Sequence, residues 1–146
     1  MALIEKELIC LNKEYKDKYQ VIKELSLLAK DCDKVSDVED YENTVLQREE
    51  EFSTAIGCLS AVPHGECDSV KEPFIIFSRA TQSFKWDEID VQMIFMIGLP
   101  LKNSAEIHMR ILNNIAVNLT DEDFRNALLT STNEKEIFDI LQMIDK

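Results

Sequence analysis

The chain has 146 residues, 45% of them apolar and 30% charged, with only three glycines and three prolines; this excludes disordered and fibrous classes and suffices for one domain with a buried core. Acidic residues number 28 against 16 basic, a formal net charge of -12, which excludes nucleic acid as a partner because phosphate neutralisation needs a concentrated basic surface. Glu5, Lys6 and Glu7 break up the early apolar residues, so no secretory signal forms, and the apolar runs fall far short of a membrane span. A soluble, cytoplasmic protein with no direct membrane insertion is expected.

In chain order, the opening LIEKELICLN suits a short strand or an irregular arm. The spacing of Tyr19, Ile22, Leu25, Leu28 and Ala29 predicts a helix from Lys16 to Lys30. After the polar connection DCDKVSD, Ser36 or Asp37 can cap a second helix over Val38 to Phe52, with Tyr41, Val45 and Leu46 inward and glutamates outward. Ala55 to Val62 is small and apolar, Pro63 ends it, and HGECDSVKEP reads as loop. Phe74 to Phe77 is a short β-rich run, followed by TQSFKWDEID as a turn or edge excursion. Val91 to Leu99 is almost wholly apolar, the pattern of a central strand covered on both faces. Asn103 or Ser104 can cap a helix to about Leu119 with Ile107, Ile111, Leu112 and Ile115 on one stripe. Thr120 with Asp121, Glu122 and Asp123 opens another helix, and a last one over Glu134 to Ile144 buries Ile137, Ile140 and Leu141. Helices on either side of a β-rich middle predict a single α/β domain over residues 1–146, a sheet layered by helices.

Candidate chemistry centres on the two histidines. His64 follows Pro63, whose fixed φ stiffens the approach, and its neutral imidazole can serve as metal ligand, general base or nucleophile, or stand as a plain turn residue. His108 sits at the margin of the apolar stripe of its helix, where a strand-to-helix junction can bring it towards His64. His64, Cys67, Asp68 and His108 lack any zinc-ligand spacing; the four cysteines include no CxxC pair; no nucleophile elbow or phosphate-cradling glycine loop is present. Arg48, beside three glutamates, is either a surface ion-pair partner or, if its helix end faces His64, a fork for phosphoryl oxygens.

The stretch VLQREEEFSTAIGCLSAVPHGECDSVKEP resembles the signature region of the IIA proteins of the fructose/mannitol class in the bacterial phosphoenolpyruvate-dependent sugar phosphotransferase system. That family pairs Arg-Glu with a threonine, a small Gly-rich segment, A-[IL]-PH and V-x-x-P. These appear here as Arg48-Glu49, Thr54, Ile56-Gly57, Ala61-Val62-Pro63-His64, and Val70 with Pro73, and the likeness continues through WDEIDVQMIFMIGLP and HMRILNNIAVNLTDEDFRNALL. The resemblance implies a mixed sheet packed between helices and a phosphotransferase component that works without ATP, metal or other cofactor. It implies that His64 accepts a phosphoryl group from the phosphocarrier protein HPr and passes it to a IIB protein or domain, with a membrane IIC component downstream. It also implies that His108 is a supporting histidine and that Arg48 helps hold the phosphoryl charge. The family usually has glycine at the positions of Ala55 and Leu59; Leu59 either displaces the loop or adds apolar contact for a partner. The alternative is a regulatory interaction module of the same fold.

Overall fold

The computed structural model describes residues 3–102 and 104–145. Its centre is a six-stranded mixed sheet in the order β1-β5-β6-β3-β2, with β4 also paired to β6. The strands are β1 (Ile9–Lys13), β2 (Ala55–Gly57), β3 (Ser60–Ala61), β4 (His64–Glu66), β5 (Phe74–Trp86) and β6 (Ile89–Leu99). The expected mixed sheet between helices is the architecture found. On one face lie α1 (Lys18–Asp31) and α2 (Val38–Glu51); on the other lie α3 (Ser104–Leu119), α4 (Glu122–Thr130) and α5 (Glu134–Leu141).

The period-2 alternation of a strand divides the core between these faces. Phe74 and Ile76 of β5 and Ile94 and Met96 of β6 pack against Val21, Ile22, Leu25, Tyr41 and Val45 of α1 and α2. The intervening Ile75, Phe77, Phe95 and Ile97 pack against Ile111, Ile115, Phe124, Leu128, Ile137 and Leu141. From Met93 to Leu99 strand β6 is therefore buried on both sides, as its unbroken apolar run there requires.

The helix ends follow their capping chemistry. Asp17, Asp37, Asp121 and Asn133 accept from backbone N–H groups in the first turns of α1, α2, α4 and α5. Helix α3 begins at Ser104, but the choice of Asn103 or Ser104 as its cap lies outside the described residues. No described helix is long and apolar enough to cross a membrane.

Two expectations are corrected. TQSFKWDEID is the tip of a long hairpin: β5 runs to Trp86, and β6 begins at Ile89 after a two-residue turn at Asp87 and Glu88. What extends it is burial of its aromatic residues, since Trp86 is wholly buried and the Phe84 ring lies 5.6 Å from that of Tyr15. His64 to Glu66 is not loop but strand β4, paired in parallel with Ile97 to Leu99. Strands β3 and β4 lie along the same edge of β6 and are parted at Val62-Pro63, where proline cannot donate to a ladder. The Pro63 carbonyl still accepts from Ile97 N–H at 2.9 Å, so pairing resumes at once with His64.

Candidate functional site

Gly65 decides which way its neighbours face. A Cβ there would lie 2.9 Å from Val45 Cγ2 and 3.3 Å from Tyr41 Cε1, so α2 packs directly on the backbone at this point. Alternation then turns His64 and Glu66 to the opposite face, beneath α3. There the rings of His64 and His108 stand 4.7 Å apart at 53°, and His108 Nδ1 lies 3.1 Å from Glu66 Oε1.

His64 is 7% exposed. Its Nδ1 lies 2.9 Å from the Val62 carbonyl oxygen, which can only accept, so Nδ1 carries the proton and the lone pair of the neutral ring is on Nε2. Burial holds the imidazole below histidine's usual range; the Val62 bond and Glu66 oppose this, and the charges of His108 and Arg48 reinforce it.

The His64 ring lines a mainly apolar cleft of about 470 Å³ between the β2–β3 hairpin, at Ile56 and Cys58, and Leu112 and Ile115 of α3. Arg48, in the last turn of α2, lines the same cleft and donates from Nη1 to the Phe52 carbonyl at 2.8 Å, which ties its guanidinium to the end of its own helix. Of the three residues singled out from the sequence, Arg48 and His64 thus line one cleft, and His108 stands against the His64 ring. Cys67 goes elsewhere: its buried thiol lies 2.9 Å from Ser69 Oγ. The described residues contain no cluster of three or more metal-type side chains.

Two residues had no role assigned from the sequence alone. Glu49 is 3% exposed and its carboxylate accepts from Thr54 N–H at 3.0 Å, Thr54 Oγ1 at 2.6 Å and Trp86 Nε1 at 3.0 Å, with Lys18 Nζ at 3.5 Å. It pins the end of α2, and with it Arg48, to the entry of β2. Glu66 carries no signal of its own while HGECDSVKEP reads as loop; on a strand, its i+2 spacing from His64 puts the two side chains on one face.

Leu59 lies in the β2–β3 turn. Gly57, Cys58 and Leu59 have φ of 87°, 54° and 59°, so the two central residues of this hairpin turn are both left-handed. The Leu59 backbone adopts the conformation glycine favours, and its carbonyl accepts from Gln92 and Met93 N–H at 2.8 and 2.9 Å. A left-handed non-glycine residue costs about 1–2 kcal/mol, of which the larger unfolded-state entropy of glycine takes back about 0.4–1. Leu59→Gly is therefore expected to stabilise the protein by about 0.5–1 kcal/mol in urea unfolding. A loss of stability would mean that the half-buried leucine side chain outweighs the strain.

Residues 2–143 match the family described as "Phosphoenolpyruvate-dependent sugar phosphotransferase system, EIIA 2", and the chain belongs to that family of phosphotransfer proteins. It is 33% identical to the fructose-specific EIIABC component of Bacillus subtilis over 99% of this chain, but spans only 23% of that longer protein. It is 31% identical to the fructose-specific EIIA component of Haloferax volcanii, covering 92% of this chain and 89% of that one. Among solved structures, the nitrogen regulatory protein IIA-Ntr of Neisseria meningitidis superposes with a TM-score of 0.87 at 25% identity, covering 95% of this chain and 96% of that one. The IIA mannitol protein of Escherichia coli shares the fold with a TM-score of 0.80 at 21% identity, covering 94% and 97%.

Proposed function

We propose that His64 is the phosphoryl acceptor and donor of a carrier that takes its group from phospho-HPr. It then hands the group to a cysteine of a IIB protein or domain, with a membrane IIC component downstream, in coupled sugar uptake and phosphorylation. The observation that carries this is the bond from His64 Nδ1–H to the Val62 carbonyl, which leaves Nε2 as the nucleophilic atom of the ring. In the first step the Nε2 lone pair attacks phosphorus, the donor's P–N bond breaks, and the donor ring recovers the electron pair. In the second, a cysteine thiolate attacks the same phosphorus and the P–N electron pair returns to His64. Such transfers depend on positioning and on balancing charge over three oxygens. Arg48 supplies a guanidinium on the same cleft, and His108 a ring nitrogen beside the acceptor. The apolar cleft walls, with Ile56 47% exposed on one of them, suit successive docking of two proteins. This function implies a cytoplasmic location, where phospho-HPr is made.

Intact-mass spectrometry at neutral to alkaline pH, after incubation with phosphoenolpyruvate, enzyme I and HPr, tests the proposal. One added phosphoryl group is expected. No addition to a folded protein, with HPr shown to be charged, would overturn it.

A pH dependence follows from the lowered pKa of His64. The folded state favours the neutral ring, so between the folded pKa and the unfolded value near 6.5 the unfolded state binds more protons and stability rises with pH. This stability is fully present above about pH 6.5 and is lost as pH falls through the folded value. The slope contributed by one proton is at most about 1.4 kcal/mol per pH unit. Urea unfolding between pH 5 and 7 should show a flatter pH dependence in His64→Gln than in the native protein; equal slopes would contradict it.

A second reading, a regulatory module whose partner binding depends on phosphorylation, is favoured by the likeness to the Neisseria nitrogen regulatory protein. A partner retained with equal affinity by the unmodified and phosphorylated protein would remove it.

A further inference from the structure

We propose that Glu66 is a positioning residue that holds the His108 ring with Nε2 turned to the phosphoryl group on His64. This rests on the proposed role of His64 and adds a residue to it. Glu66 stands two positions beyond His64 on β4, and Gly65, pressed against α2, sends both side chains to the α3 face. Its ionised carboxylate can only accept, so the 3.1 Å contact with His108 puts a proton on Nδ1 and fixes which ring nitrogen faces which way.

The other end of the same ring supplies the second observation. Among the described residues His108 Nε2 is buried without a hydrogen-bond partner, while the ring as a whole lies 4.7 Å from that of His64. A buried polar atom left unpaired is unfavourable, and with 18% of the side chain exposed the ring has water within reach of a turn about its side-chain bonds. The Glu66 bond opposes that turn. It keeps Nε2 buried until a group arrives that can use it. A phosphoryl group on His64 brings oxygens that only accept, and a donor at Nε2 requires a ring protonated on both nitrogens. A carboxylate on the far nitrogen is the partner that supports such a ring, as the aspartate does for the imidazolium of a catalytic triad.

The test compares native protein, Glu66→Ala, Glu66→Gln, His108→Ala and the double variant Glu66→Ala/His108→Ala. Steady-state loading from phospho-HPr gives kcat and KM, and nitrogen-15 NMR of the histidine rings reads their tautomers without any phosphoryl donor. Glu66→Ala is expected to lower kcat by about 10–100-fold, the scale seen when a ring's orienting partner is removed, with KM little changed. The double variant should be no slower than His108→Ala alone, because Glu66 acts through that ring. Glu66→Gln, whose amide oxygen accepts the same bond without the charge, should recover part of the loss. In the spectra, Glu66→Ala should release His108 from the Nδ1-protonated form. Multiplying losses in the double variant, a kcat within about twofold of native for Glu66→Ala, or His108 signals unchanged by that substitution would each overturn the proposal. If the native protein takes no phosphoryl group at all, the carrier function fails, and the ring spectra still decide whether Glu66 holds His108.

Discussion

Replacing His64 with alanine is expected to reduce phosphoryl loading by roughly a thousandfold or more, to the detection limit of intact-mass spectrometry, with the sheet still folded. In the proposed reaction His64 is the nucleophile, the one group that cannot be replaced. The only other histidine, His108, has one ring nitrogen engaged by Glu66 and the other buried. The fold should survive because β4 is held by backbone pairing to Ile97, Gly98 and Leu99, which alanine keeps. What is lost is the Nδ1–H bond to Val62 and some packing at the cleft edge, about 1–2 kcal/mol together. His64→Gln restores side-chain volume and separates the two effects. Both variants should be unloaded, while glutamine should melt closer to the native protein. A label retained on either variant would move the acceptor elsewhere. Its acid lability would distinguish a second histidine from the exposed Cys58 thiol at the same cleft.

Replacing Glu49 with alanine should produce the largest loss of stability, about 3–5 kcal/mol. The carboxylate is the shared acceptor of four groups: the Thr54 amide and hydroxyl, the Trp86 indole N–H and the Lys18 ammonium. Its removal leaves buried donors unpaired and Lys18, itself 7% exposed, with Asp87 at 2.9 Å as its remaining anion. For a chain of this size such a loss lowers Tm by roughly 10 °C. Trp86 is the chain's one tryptophan, so its fluorescence reports both unfolding and the loss of the indole bond in the folded state. Glu49→Gln, which keeps an acceptor oxygen but not the charge, should fall between the two. A loss below about 1 kcal/mol for the alanine variant would mean that water takes the place of the carboxylate. Because Glu49 also ties Arg48's helix end to β2, the alanine variant should weaken loading beyond what its fraction folded explains.

The sequence by itself determined the helices and offered Asp37 as a cap of α2; Asp17, Asp121 and Asn133 also act on backbone groups within their own first turn, although the apolar spacing did not single them out as caps. It determined that β6 is central, because a strand apolar on both faces has to be covered on both. His64, His108 and Arg48 were legible through likeness to a family pattern; their spacing alone left metal ligand, base and nucleophile open. Tertiary structure decided the rest. Strand β4 exists because β6 offers it a ladder, a partner that no local property of HGECDSVKEP reveals. The left-handed Leu59 is held by bonds from Gln92 and Met93, against its own backbone preference. Glu66 reaches His108 only after Gly65 has been pressed against α2, which turns the residues on either side of it beneath α3. Helix signals and caps depend on neighbours within a turn or two, whereas strand pairing and the faces of a short strand depend on groups brought together by the whole chain.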